Sequence, residues 1–332
     1  MTALPGSAHA AGSYLVVGGA GFIGSHFVDA LLGSADVDRV AVYDNFSSGQ
    51  AWHLAHHDHD ERLVVVQGDV KDLDDLAKAM DGTRTVVHLA SNPDIARAMT
   101  DPEIDFVEGT LLTQRVVEAT RRAGVERLLY ASGSGVYGDI GYLEAAEDHG
   151  PLVPTSTYGA SKLAGEAMLS SYSAMFGLVA RAFRFGNVVG RRQTHGVGYD
   201  FVRRLREEPS RLRILGDGRQ SKSYVHVDDV VAAVLLADGA APDPFAVFNV
   251  ATGDYVTVLE IAELAMEALA LDPAGVELEF TGGDRGWKGD VPIVRLDTDR
   301  IRALGWSNRL GAADAIRRSL ADMLGDLDEG RD

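Results

Sequence analysis

The segment Gly18-Gly19-Ala20-Gly21-Phe22-Ile23-Gly24 constrains this chain more than any other. It follows residues 14–17 (YLVV), an apolar run too short for a helix, and opens onto a helix-like stretch at 24–32. Glycines at this spacing let the backbone turn sharply and approach a pyrophosphate with no Cβ in the way. The helix behind them offers N–H groups and the positive end of its dipole. Asp44 stands twenty residues past Gly24, at the end of the next apolar run. Its carboxylate can accept both hydroxyls of an adenosine ribose. Asn45, Phe46 and Ser47 follow, with no Arg or Lys to neutralise a 2′-phosphate, which favours NAD over NADP. Gly18, Gly21, Phe22, Ile23 and Gly24 are therefore expected at the pyrophosphate and Asp44 at the ribose. The bland alternative is a strand–helix turn with no ligand.

Short β-branched runs recur at 39–43, 63–66, 85–89 and 127–130, separated by helix-like stretches at 73–80 and 111–123, and 178–185 is a plausible sixth strand. That alternation predicts a Rossmann-type α/β fold, a doubly wound parallel sheet with helices on both faces. After about Gly190 the pattern loosens into helices at 199–206, 227–236 and 259–269 and strands at 211–215, 248–250 and 276–280, which predicts a smaller mixed α/β lobe. The expected domains are 12–190 for the cofactor and 191–325 mainly for the substrate, packed around a cleft. The acidic tail after Leu324 is expected to fray.

Composition narrows the partners. The 332 residues carry a formal charge of −18, which repels phosphate backbones and argues against nucleic-acid binding. The absence of cysteine removes disulfides, thiolate metal sites and a cysteine nucleophile. No apolar run reaches the roughly 20 residues needed to span a bilayer. Residues 1–11 lack a signal-peptide pattern. A soluble, cytoplasmic protein is expected.

Ser156-Thr157-Tyr158-Gly159-Ala160-Ser161-Lys162 opens a helix predicted to run through Ser170. Tyr158 and Lys162, at i and i+4, share one face. A phenol is a poor base at neutral pH, but a neighbouring ammonium and the positive charge of an oxidised nicotinamide stabilise its phenolate. Tyr158 can then take a proton from a carbinol while hydride leaves the same carbon, and Lys162 can hold the nicotinamide ribose. An exposed helix turn is the bland reading of the pair. Asp69 and Val70 after the third run are candidates for the adenine, equally well a turn. Leu89, Ala90 and Ser91 after the fourth offer small residues over which a dinucleotide can lie.

Together these elements resemble the extended short-chain dehydrogenase/reductases, in their NAD-dependent nucleotide-sugar epimerase/dehydratase branch, and most closely the UDP-glucose 4-epimerases, over residues 14 to about 306. Tyr43-Asp44-Asn45 with Ser47-Ser48-Gly49 is similar to the ribose-binding stretch, and Val136-Tyr137-Gly138 to the signature after the catalytic hydroxyl residue. The segment 184–190 (RFGNVVG) resembles one whose Asn touches the nucleotide diphosphate, here Asn187, with Phe185 toward the cofactor. The resemblance implies diphosphate contacts for Lys222, where many relatives carry Arg, and for Arg285. Tyr199 is a weaker candidate to cover the nucleobase. It also implies a homodimer through helices 111–123 and 160–176.

The sequence departs from that pattern in two places. The family's Ser or Thr, three residues before Val136, is Gly133 here, in Ala131-Ser132-Gly133-Ser134-Gly135. Ser132 or Ser134 is the candidate to supply the missing hydroxyl. Gly109 stands where relatives open a helix with Asn. The resembled 4,6-dehydratases place Asp-Glu directly after the catalytic Thr, where this chain has Ser134 and Gly135. The reading that remains is epimerisation of a UDP-sugar at C4 through a 4-keto intermediate, with the sugar itself open. A nucleotide-sugar 4-ketoreductase or oxidase, a dehydratase-like enzyme and a non-catalytic dinucleotide-binding regulator stay as alternatives. No metal is expected: His53, His56 and His57 have a helical spacing that could hold one, but no chemistry above needs it, and residues 52–60, rich in histidine, read as a solvated surface helix. His88 and His226 read as structural.

Overall fold

The computed structural model describes residues 12–331. Its contacts group into two compact units. One takes the described residues through Ser132 with Ser161–Phe183 and Ala237–Val247; the other takes Gly133–Ala160, Arg184–Leu236 and the described residues from Phe248 on. A seven-stranded parallel sheet is built from β1 (Ser13–Val17), β2 (Arg39–Asp44), β3 (Leu63–Gln67), β4 (Thr85–His88), β5 (Arg127–Gly133), β6 (Val179–Phe185) and β7 (Phe245–Val250). Its spatial order is β7-β6-β5-β4-β1-β2-β3. The order reverses between β1 and β4, and ligands of open α/β sheets bind at the carboxyl ends of strands flanking such a point. The Rossmann-type fold expected from the alternating runs is present. The strand expected at 248–250 in the smaller lobe is instead the seventh of this sheet, Phe245–Val250. Its membership was hidden because it lies far along the chain among the elements of the second half.

The helices are α1 (Phe22–Leu32), α2 (Leu73–Ala79), α3 (Leu112–Arg122), α4 (Thr157–Phe176), α5 (Val197–Glu207), α6 (Val227–Ala240), α7 (Val258–Ala268), α8 (Asp299–Ala303) and α9 (Ala312–Asp328). In the first unit, Leu15, Val17 and Tyr43 of the sheet pack with Leu76 and Met80 near α2, Val116 of α3 and Leu169 of α4. The second unit has its own core, in which α5, α7 and α9 contribute Phe201, Leu205, Ile261, Ile316 and Leu320, against Leu212 and Ile214. Helix α7 begins on a capping box: the Thr257 hydroxyl accepts from Glu260 N, and the Glu260 carboxylate accepts from Thr257 N.

Three local expectations need correcting. The tail does not fray after Leu324. Helix α9 continues to Asp328 because Leu327 packs on the core and buried Asp326 accepts from Arg191 Nε at 3.2 Å and Arg192 N at 3.2 Å. Residues 52–60 are not a surface helix but hold two 3₁₀ turns, Ala51–His53 and Ala55–His57. His53 is buried, its Nδ1 2.7 Å from Ala20 O. The helix at 111–123 is entered through a π-helical turn, Phe106–Leu111.

Candidate active site

The glycine loop owes its shape to steric contacts. Gly18 has φ +82°, and a Cβ there would lie 2.7 Å from Ala90 N. A Cβ at Gly24 would run into the Gly18 carbonyl, so the start of α1 sits directly on the loop. Gly21 is different. It is the N-cap of α1 and no side chain caps it; a Cβ there would meet only Gly18 O, at 3.3 Å. The fold itself hardly needs that glycine, and the space beside it is a cradle for a ligand phosphate at a helix N-terminus.

At the end of β2, buried Asp44 accepts from Ala20 N at 2.9 Å through Oδ2 and from Phe46 N at 2.8 Å through Oδ1. Burial pushes its carboxyl pKa up, while those two N–H groups pull it down. Each carboxylate oxygen keeps a second lone pair for a ribose hydroxyl. A Cβ at Gly49 would lie 2.9 Å from Asp44 Oδ1, so Gly49 keeps the approach to the carboxylate open. Asn45 and Ser47 are exposed beside it. After β3, the backbone carbonyl of Asp69 accepts from Tyr43 Oη at 3.2 Å, and Val70 enters the core. After β4, Leu89 N and Ala90 N both donate to Val17 O, at 2.9 and 3.1 Å. The shielded Ser91 hydroxyl has no hydrogen-bond partner among the described residues. A buried hydroxyl left unpaired is costly, and a bound group next to it would satisfy it. The Gly21 cradle, the Asp44 carboxylate and the Ser91 hydroxyl together suit an adenine dinucleotide.

Helix α4 carries the candidate Tyr–Lys pair. Ser156 Oγ accepts from Gly159 N at 3.0 Å and so starts the helix, which runs past Ser170 to Phe176. Gly159 is required there: a Cβ would lie 2.5 Å from Gly135 O. The first turn of α4, with half-buried Tyr158, is thereby pressed against the Ser134–Tyr137 turn. One turn on, Lys162 is 4% exposed and donates to Ala131 O of β5 at 2.9 Å, its ammonium 5.3 Å above the Tyr130 ring. Burial pulls its pKa down to about 8, and nearby Asp105 works in the opposite direction. His88 is fully buried, donor or acceptor to Thr113 Oγ1 at 3.1 Å, and burial then Lys162 bring its pKa to about 3, so it is a neutral ring.

The candidate hydroxyls part company. Ser132, 4% exposed, donates to Glu166 Oε1 at 2.5 Å, with Glu166 5% exposed. Ser134 begins the turn after β5 and is half-buried. A Cβ at Gly133 would meet nothing within 4 Å. Gly109, by contrast, is demanded by packing, because a Cβ would lie 2.6 Å from Ser161 Oγ. The π turn that holds Gly109 brings the entry of α3 onto α4.

In the second unit, Asn187 opens the short strand Asn187–Val189, its N–H donating to Ser223 O at 3.0 Å, and its side chain bonds Tyr224. Lys222 and Arg285 meet on one residue. Lys222 Nζ donates to Asp290 Oδ1 at 2.6 Å, and Arg285 donates to Asp290 O at 3.0 Å and to Asp139 Oδ2 at 2.6 Å. Tyr199 packs into the core of that unit under Arg203, and Phe185 is buried at the end of β6.

Sequence reasoning missed Glu166 and Asp105. Glu166 had a signal: it follows Lys162 at i+4 on the Tyr158 face. Asp105 had none. It is buried (1% exposed) and accepts from Asn92 Nδ2 at 2.9 Å, across a loop whose path no periodicity encodes.

A doubly wound parallel sheet, a glycine loop backed by an acidic ribose site and a Tyr–Lys helix turn define a dinucleotide-dependent enzyme of the short-chain dehydrogenase/reductase type. Residues 14–251 match the NAD dependent epimerase/dehydratase family, and the chain belongs to that family. It is 34% identical over 313 residues to the UDP-glucose 4-epimerase of Mycolicibacterium smegmatis, covering 92% of this chain and 96% of that protein. A crystal structure of a UDP-galactose 4-epimerase superposes with a TM-score of 0.84 at 36% identity, covering 95% of this chain and 99% of the other. The dTDP-glucose 4,6-dehydratase DesIV of Streptomyces venezuelae, solved as a double mutant with NAD bound, superposes with a TM-score of 0.87 at 30% identity, covering 95% and 98%. NAD is the cofactor of the family and fits the cradle described above.

Proposed function

We propose that this protein is an NAD-dependent UDP-sugar 4-epimerase in which Tyr158 and Lys162 carry the chemistry. The observation that supports this most directly is the turn of α4 that sets Lys162, anchored on Ala131 O, one turn from Tyr158. NAD, held at the glycine loop and Asp44, would supply a reversible hydride acceptor for C4 of the sugar. The chain's own groups do the rest. The Lys162 ammonium favours the phenolate, and Tyr158 removes the O4 proton as the C4–H bond breaks, leaving a 4-keto sugar. The keto sugar turns about its diphosphate link, and Tyr158 gives the proton back to O4 when the C4–H bond re-forms. Protons and electrons balance over the cycle. Ser134 is the hydroxyl assigned to assist this transfer, because Ser132 is already held by Glu166. Gly18, Gly21, Phe22, Ile23 and Gly24 hold the pyrophosphate; Asp44, Asn45, Ser47 and Gly49 the adenosine ribose; Asp69 and Val70 the adenine; Leu89, Ala90, Ser91 and Phe185 the remainder of the dinucleotide. Asn187, Lys222 and Arg285 attract the substrate diphosphate, and Tyr199 supports the nucleobase end.

The dehydratase reading draws on the likeness to DesIV. It is disfavoured because dehydration across C5 and C6 needs an acid and a base, and Ser134 and Gly135 offer no carboxylate. The epimerase reading divides the labour between a cofactor domain at 12–190 and a substrate lobe at 191–325, and takes the enzyme to be a cytoplasmic homodimer. Exposed Phe106, Met175 and Phe176, on or beside α3 and α4, supply apolar surface for a second copy. No helix among the described residues is long and apolar enough to cross a membrane.

The test is proton NMR of the pure protein incubated separately with UDP-glucose, UDP-N-acetylglucosamine and UDP-glucuronate. The expected result is a new anomeric signal from the 4-epimer of at least one of them, with no net NADH formed. A 4-keto-6-deoxy product, or stoichiometric NADH, would overturn the reading.

A further inference from the structure

Three side chains of the first unit converge beside α1 from two separate segments of the chain. His56 Nε2 and His57 Nε2 each lie 2.8 Å from the same oxygen, Asp29 Oδ1, and the two rings stand 4.0 Å apart. Asp29 comes from α1 and the histidines from the Ala55–His57 turn, so two separate segments supply the donors. All three donor atoms fall within 4.8 Å of one another. The carboxylate oxygen can take a hydrogen bond from both rings only while each Nε2 carries a proton. A divalent ion would bind both Nε2 atoms once each ring carries its proton on Nδ1 instead, with Asp29 Oδ1 already beside both nitrogens.

Two imidazole nitrogens with one carboxylate oxygen are a donor set for a borderline transition dication of the zinc class. Calcium and magnesium prefer all-oxygen shells. Tetrahedral ligands at about 2.0–2.1 Å from zinc stand about 3.3 Å apart, so each imidazole nitrogen would need to move about half an ångström away from Asp29 Oδ1. Asp29 and His57 are half-buried and His56 is exposed, which leaves a face of the site to water. The net charge of −18 also raises the local concentration of cations.

We propose that Asp29, His56 and His57 form a zinc-class metal site that braces α1 against the 51–57 segment. That brace leads to the glycine loop. His53 Nδ1 lies 2.7 Å from Ala20 O, and Gln50 N donates to the same carbonyl at 3.0 Å, while Ala20 N is held by Asp44. A bound ion would thus stiffen the backbone that carries the ribose carboxylate without touching the dinucleotide.

The test is calorimetric titration of the full, tag-free chain with Zn²⁺, comparing the wild type with His57→Gln, Asp29→Asn and a control, His59→Gln. The expected result is tight binding by the wild type and the control, weakened at least tenfold in His57→Gln and Asp29→Asn. Zinc should raise the thermal midpoint of the first pair and not of the second. The bound NAD content should be the same in all four proteins, which separates this outcome from any failure of the catalytic reading. Equal zinc affinity in all four, or no binding at millimolar zinc, overturns the proposal.

Discussion

The Ser132 hydroxyl is bound to Glu166 Oε1 at 2.5 Å, joining the end of β5 to α4 one turn beyond Lys162. The bond lies in the interior, where a carboxylate without its donor is expensive. Ser132→Ala should therefore destabilise the protein by about 1–3 kcal/mol, read as a lower denaturation midpoint. Glu166→Gln, which keeps an acceptor oxygen, should cost less. If both substitutions leave stability unchanged, the bond does not brace the site.

Two glycines flanking this region should respond in opposite ways. Gly133 has an extended φ of −162° and open space at its Cβ, so Gly133→Ser should fold with stability within about 0.5 kcal/mol of the wild type. The added hydroxyl stands where the resembled enzymes carry theirs, and the turnover rate should rise. Gly159→Ala places a methyl 2.5 Å from Gly135 O and should cost about 1–3 kcal/mol, more than the helix propensity gained. A stable Gly159→Ala with full activity would contradict the packing of α4 on the Ser134–Tyr137 turn.

Lys162 predicts the pH behaviour. The proposed chemistry needs its ammonium form, and its pKa is brought down to about 8 by burial, with Asp105 in opposition. The alkaline limb of the kcat profile should lie near that value. Asp105→Asn removes the opposing charge and should move the limb to lower pH. The stability sign follows from linkage: the folded lysine releases its proton before an unfolded one at 10.5, so the unfolded chain binds more protons between about 8 and 10.5. In that window the Lys162 contribution to stability rises with pH. A limb that stays in place in Asp105→Asn contradicts the coupling.

Asp44→Asn keeps the side-chain shape and removes the charge that would receive the ribose. Hydrogen bonds to charged groups contribute about 1.5–3 kcal/mol, so NAD affinity should fall roughly 10- to 100-fold. Measuring retained nucleotide after gel filtration and acid release checks this. Unchanged NAD content would place the ribose elsewhere.

Much of the cofactor side was legible because each residue there answers a local steric demand. Gly18 needs a positive φ, Gly24 touches Gly18 O, and Asp44 ends a strand beside Ala20. What stayed hidden depended on contacts distant in sequence. Ser132 meets Glu166 across 34 residues and Asn249 accepts from Tyr137 across 112. The strand at 245–250 joins the sheet only because β6 is there to receive it. The histidine tract was misread as a helix since helical spacing of His53, His56 and His57 ignores the pull of Ala20 O and Asp29 on their rings. Gly109 looked like a simple departure from relatives, and only its distance to Ser161 Oγ shows that the π turn leaves no room for a larger residue.

The central claim is that the Tyr158 phenol moves the sugar O4 proton, and Tyr158→Phe tests it most directly by NMR of UDP-sugar conversion. The turnover rate should fall by about 10²- to 10⁴-fold, with NAD content and thermal midpoint unchanged. Conversion at the wild-type rate by a Tyr158→Phe protein that still holds NAD would contradict it.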